Sequence, residues 1–453
     1  MNILKTKLFS GLLFTCCLIF SGCDKFLEVN PPYTQDAENY FQSPEDYEQA
    51  LIGAYDLLQA SFMSVWISEI ASDNTIAGGE SVNDTQGLHQ IDEMTHGGVN
   101  SELRSLFRWN YAGITRANFI LENKDNIDFQ GKDQIIAEAK FLRAFYYFEL
   151  VKFFGDVPLI IDKRIGAQEA TEIPRTPASE VYAQIEQDLI DASSVLNDVS
   201  LIKGKATKGA AKALLGKAYL YQKKYIEAAD KFDEVINSGS YSLINDYTNL
   251  FSVANENNSE TVFDVQYTGA EGGGYGCLVC LEGNAGPGFQ GIRQYDGPIY
   301  GDGNSYNLPT QSLYDAFDPA DPRRNMTVLD IEAFIAAQPN PESITYGIGA
   351  GGHTGYYNNK YIKRQGEIGL PDNDLTSPVN YRVIRYADVL LMAAESHYQN
   401  GNTGAAQVLV DEIRTRAGMP PVSLSSVNDI FNERRLELAC EGHRFFDLIR
   451  AGN

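Results

Sequence analysis

Three carboxylates, Glu433, Glu437 and Glu441, recur near the end of the chain with Arg434 and Arg435 between them. Two carboxyl groups facing each other across a cleft could hydrolyse a glycoside, one as acid and the other as base or nucleophile. A spacing of four instead puts all three on one face of one helix, where interleaved charges stabilise it by i,i+4 pairing. The pattern therefore predicts an ion network, not catalysis. Asp318, Asp321, Arg323 and Arg324 read in the same way, as charges that order a loop. Cys277 and Cys280 form a lone C-x-x-C pair in a glycine-rich stretch. Zinc would need two more ligands, and no second pair exists, so a local disulfide or two free thiols remain. His89, His96, His353, His397 and His443 are dispersed, and neither H-E-x-x-H nor G-x-S-x-G occurs. The run Gly347–Gly352 lacks the Lys-Ser or Lys-Thr of a phosphate loop. No metal, cofactor or catalytic residue is predicted.

The aromatic loops carry a sharper signal. Tyr275, Phe289, Tyr295, Tyr300 and Tyr306 lie among Gln290, Arg293, Gln294, Asp296, Asp302 and Asn304. A second glycine-aromatic stretch holds Tyr346, Tyr356, Tyr357 and Tyr361. A sugar offers apolar C–H faces and hydroxyl edges; rings cover the faces, and amide, carboxylate or guanidinium groups satisfy the edges. Tyr275, Arg293, Tyr295, Tyr300, Tyr306, Tyr356 and Tyr357 are therefore ligand candidates. The competing expectation is that these rings pin a long loop to the body. Trp66, with Asp73 and Asn74 on the polar loop after its helix, is a second candidate group. Trp109, inside a helical pattern, is expected in the core.

Location follows from the first residues. Lys5 and Lys7 precede an apolar run from Leu8 to Phe20, and Phe20-Ser21-Gly22-Cys23 reads as a lipobox. The run is shorter than the roughly 20 residues that span a bilayer and ends on the small residues a signal peptide needs. Cleavage before Cys23 would expose a thiol for lipid attachment, and two or more acyl chains hold a protein firmly to a membrane. Loss of Lys5 and Lys7 with the leader moves the formal charge from -24 to -26. So acidic a chain repels phosphate backbones, which excludes nucleic acid as a partner.

Helices must position the loops. Ser43, Pro44, Glu45 and Asp46 predict a helix start, running to about Ala60. Further helices are expected over 102–122 and 134–154, and from Pro177 to about Leu196. Leu215, Gly216, Tyr219, Ala228 and Phe232 match the roughly 34-residue tetratricopeptide pattern. Ala393, Ala394, His397, Ala406, Val410 and Ile413 form a degenerate second copy over 387–416. Residues 262–267 alternate like a strand.

Several segments resemble one family: CDKFLEVNPP after the lipobox, EAKFLRAFYYFELVKFFGDVPLI at 138–160, ATKGAAKALLGKAYLY at 206–221, YRVIRYADVLLMAAE at 381–395 and ERRLELACEGHRFFDLIR at 433–450. In this order they resemble the SusD/RagB nutrient-binding lipoproteins of the outer membrane. The resemblance implies a mainly α fold in which tetratricopeptide helix pairs pack against an irregular, loop-rich half with short β-strands. Expected boundaries are a signal peptide over 1–22, a lipid-anchored extended segment over 23–43 and a single domain over 44–453. Within that domain, helices fall at about 102–245 and 381–418 and ligand loops at about 262–375. The resemblance also implies a non-catalytic, surface-exposed protein that passes oligosaccharides, or peptides in some members, to a TonB-dependent SusC-like transporter. Family members continue past the segment that here is Asp447-Leu448-Ile449-Arg450, so a C-terminal tail is expected to be missing. A surface glycoside hydrolase and a tetratricopeptide scaffold lipoprotein are the rival readings.

Overall fold

A computed structural model describes residues 40–161, 163–165, 167–270, 274–277, 280–367 and 375–452. The signal peptide, Cys23 and the segment up to residue 39 lie outside the described residues.

The first helix, α1 (Pro44–Asp56), begins as the sequence predicts. Ser43 Oγ accepts from the Asp46 N–H, and the Asp46 carboxylate accepts from the Ser43 N–H at 2.8 Å, a reciprocal cap that satisfies two end donors. The helix tightens into a 3-10 turn, Leu57–Ser61, and continues as α2 (Phe62–Ile70), whose residues are all buried. The longest helices follow: α3 (Ser101–Glu122) and α4 (Lys132–Phe154). They pack so closely at Gly113 that a Cβ there would lie 2.4 Å from the Tyr146 ring. Next come α5 (Ala178–Val195), then α6 (Lys208–Tyr221) and α7 (Tyr225–Ile236). The last two are the tetratricopeptide pair, and a Cβ on Gly216 would fall 2.7 Å from Phe232, so the close approach needs glycine. The degenerate copy is α8 (Tyr386–Gln399) and α9 (Thr403–Arg416), against which α10 (Val427–Leu438) and α11 (Arg444–Ala451) complete the described chain.

Residues 381–385 correct the helical reading of that stretch. Tyr381–Arg385 is a strand, antiparallel to Thr261–Val265, and the helix starts only at Tyr386. All five strand residues are buried, so the alternation that marks a half-exposed strand is absent. The loop half holds three more two-stranded pieces: Thr75–Gly78 with Tyr306–Pro309, Ile292–Arg293 with Asp302–Gly303, and Val328–Asp330 with Tyr356–Asn358.

The expected ion network exists, with different partners from those the spacing suggested. Glu433, Glu437 and Glu441 are buried and pair with cations from distant segments. Arg323 donates to Glu433 at 2.7 Å and Glu437 at 3.0 Å. Arg385 donates to Glu437 and Glu441, each at 2.7 Å. Lys360 reaches Glu441 at 2.7 Å, and Arg416 pairs with Glu437. The intervening arginines point elsewhere, Arg434 to Asp388 and Asp447, Arg435 to Asn74. Burial alone would raise the Glu437 carboxyl, but Arg416, Arg385 and Arg323 hold it well below the usual range. The cluster clamps the loop half, through Arg323 and Lys360, onto the repeat helices.

Candidate functional site

Helix α2 turns Phe62, Met63, Trp66 and Ile67 toward one side of α3. From α3 come Glu102, Ser105, Trp109 and Ala112, at the i, i+3, i+7 and i+10 spacing of a single helical face, with Arg108 beside them. Between these walls lies a cavity of about 690 Å³, closed on one side by Gly276 and Cys277 of the glycine-rich loop. Its volume is typical of a small-molecule site. The chain has only two tryptophans, and both line it.

The Trp66 ring is fixed from behind. It meets Phe62 and Phe289 edge-on, with centroids 5.4 and 4.7 Å away, and lies nearly parallel to Tyr306 at 6.1 Å. Trp109 donates its indole N–H to the Leu57 carbonyl, which sets the ring in the opposite wall. Ser105 and Arg108 are exposed at the rim. The lining is thus apolar rings and aliphatics below, with a hydroxyl, a carboxylate and a guanidinium above. Such a surface suits a ligand with apolar faces and polar edges. Glu102 is the sole carboxylate among the lining residues, whereas glycoside hydrolysis ordinarily uses two. Cys277 and Cys280 form a disulfide, one of the two states left open by the sequence, and nearby Tyr275 is 63% exposed.

Helix α2 also carries Glu69, fully buried. Burial pushes its carboxyl up to about 7, against the pull of the Gly442 and Cys440 N–H groups. The Gly442 N–H donates to it at 2.6 Å. Glu69 thereby joins the cavity helix to the turn before α11.

The structure divides the residues singled out by sequence. Trp66 lines the cavity, and Tyr275 stands beside its mouth. Tyr306 supports the Trp66 ring and bonds Thr85 through its hydroxyl at 2.9 Å. The others do not reach it. Tyr295 and Tyr300 pack on each other, the first donating to the Pro298 carbonyl and the second to Asn359. Tyr357 is fully buried, and Tyr356 stacks on Tyr314 at 4.7 Å. Arg293 pairs with Glu80 at 3.0 Å. Asp73 pairs with Arg444 at 2.7 Å, and Asn74 accepts from Arg435 at 2.9 Å. These residues lie outside the cavity lining, and the contacts just given tie the loops together. Trp109 packs against the main core, as its helical spacing suggested, and also lines the cavity, whereas Ser105 and Arg108 were not among the candidates. The available signal was the mixed character of that face, a serine and an arginine flanking one of two tryptophans.

Comparison with known proteins agrees with this architecture. Residues 221–453 match the family described as "SusD family", and residues 25–220 match "Starch-binding associating with outer membrane". A SusD-like protein of Formosa agariphila is 29% identical over 458 residues, covering 96% of this chain and 88% of that one. A solved "Laminarin binding SusD-like protein" is 35% identical with a TM-score of 0.83, covering 91% of this chain and 92% of that one. Surface glycan-binding protein A of Bacteroides thetaiotaomicron, solved with laminarihexaose, is 25% identical with a TM-score of 0.82, covering 90% of each chain. With the repeat helices, the loop half and more than half of the sequence all matching, the chain belongs to the SusD family.

Proposed function

We propose that this protein is a lipid-anchored glycan-binding protein of the outer-membrane surface. It captures an oligosaccharide in the double-tryptophan cavity and passes it, uncleaved, to a TonB-dependent SusC-like transporter. The observation that carries the reading is the placement of both tryptophans on facing walls of one cavity, with polar groups at its rim. The names of the relatives support the ligand class, and laminarin-type glucans are the first to test. The lipobox at Cys23 supports anchoring, and the single lining carboxylate favours binding over hydrolysis.

Titration calorimetry with laminarihexaose and starch-derived oligosaccharides, followed by chromatography of the mixtures, tests it. Saturable binding with intact sugars is expected. Shortened products would establish a hydrolase, and binding of peptides but no glycan would move the protein to the peptide-binding members of the family.

A further inference from the structure

We propose that the cavity takes a glycan bearing an isolated anionic group, a carboxylate or a sulfate ester, with Arg108 as its counter-ion; this rests on the glycan-binding reading above.

The chain has 60 acidic and 36 basic residues, so its cations seldom lack partners. Arg116 on the same helix and Arg143 and Arg164 on neighbouring segments all form ion pairs, as do the buried arginines of the C-terminal clamp. Arg175 donates to backbone carbonyls and Arg324 covers the Tyr314 ring. Among the described arginines, the Arg108 and Arg104 side chains alone have no hydrogen bond, ion pair or ring contact. They stand one turn apart on α3, both exposed, and Arg108 lines the cavity. It also borders a smaller cavity of about 390 Å³, so this exposed side chain serves both linings.

The charge facing it from the same wall is Glu102, whose carboxylate already accepts from Ser101 Oγ at 3.0 Å. Six residues separate Glu102 from Arg108, roughly 9 Å along the helix at about 1.5 Å per residue. That leaves room for one anionic group beside Arg108 without abutting Glu102. A planar guanidinium meets carboxylate or sulfate oxygens two at a time, which fixes orientation as well as charge. The two indoles would cover the sugar faces on either side.

The protein's net charge limits the ligand further. Acids more than a Debye length away, about 8 Å at physiological ionic strength, are largely screened. A single anionic substituent next to Arg108 therefore feels mainly that arginine and Arg104 one turn away. A densely charged polyanion would run its remaining charges past an acidic surface and be repelled. The ligand class is a sparsely charged glycan.

The test compares three probes on the full protein: laminarihexaose, laminarihexaose with one primary alcohol oxidised to the carboxylate, and laminarihexaose with one sulfate ester. Calorimetry at low and high salt is run on wild type, Arg108→Gln and Arg108→Lys. At low salt at least one anionic probe should bind roughly tenfold more tightly than the neutral parent. The preference should shrink with salt, vanish in Arg108→Gln and persist in part in Arg108→Lys. Circular dichroism checks that the variants fold, which an exposed, unpaired side chain permits. Neutral and anionic probes binding alike, or an anionic preference that survives Arg108→Gln, would overturn the inference and leave glycan binding standing. Failure of all three probes to bind the wild type would overturn both.

Discussion

Trp66 and Trp109 make different demands on the same cavity. Trp66 is wedged by three aromatic neighbours, while Trp109 is held by its N–H bond to Leu57 and keeps part of its surface free. Trp109→Ala should therefore weaken glycan binding by about 1–2 kcal/mol, tenfold or more in Kd, with a modest effect on stability. Trp66→Ala should cost both affinity and stability, because its ring is also core. Tyr295→Ala and Tyr357→Ala should lower the unfolding midpoint and leave affinity nearly unchanged in the folded fraction. Calorimetry paired with urea unfolding on the four variants checks the division. Glu69 adds a pH signature. Its carboxyl titrates near the ordinary 4.5 when unfolded and at about 7 when folded. The folded protein thus keeps a proton that the unfolded chain has lost, and this group's contribution is full below pH 4.5 and lost as pH rises through 7. Glu69→Gln, which retains an acceptor for the Gly442 N–H, should gain stability relative to wild type as pH rises across that window. Urea unfolding at several pH values reads the slope.

At the scale of elements, the clamp around α10 predicts the largest single losses. Glu437 faces Arg323, Arg385 and Arg416 in a site closed to water. Glu437→Ala leaves those cations uncompensated and should cost about 3–5 kcal/mol, as breaking buried pairs does. Glu437→Gln should cost less, and denaturant midpoints separate the two. The helices were legible because each carries local signs: Ser43 and Asp46 cap α1, and Gly216 with Phe232 marks the repeat pair. The clamp was only half legible. A four-residue spacing reveals that Glu433, Glu437 and Glu441 share a face, but Arg323, Lys360 and Arg385 reach that face through tertiary packing that no spacing encodes. The strand at 381–385 was hidden for a related reason, since full burial erased its alternation. The aromatic loops were ambiguous because a ring pinning a loop and a ring stacking on a sugar have the same composition. Only burial tells Tyr357 from Trp109.

For the molecule as a whole, the lipobox ending at Cys23 predicts a membrane anchor. Cys23→Ala should move the protein out of the membrane fraction, and mass spectrometry of the wild type should find lipid on a Cys23 peptide. The clamp also has a consequence for how such a chain reaches its locked state. Its acidic members at 433–441 follow the cations at 323, 360, 385 and 416 in the sequence. Until the final helices emerge, those cations have no complete site to enter, and contacts this far apart in sequence form slowly. The loop half can thus be locked onto the repeat helices only after α10 has been added to the chain.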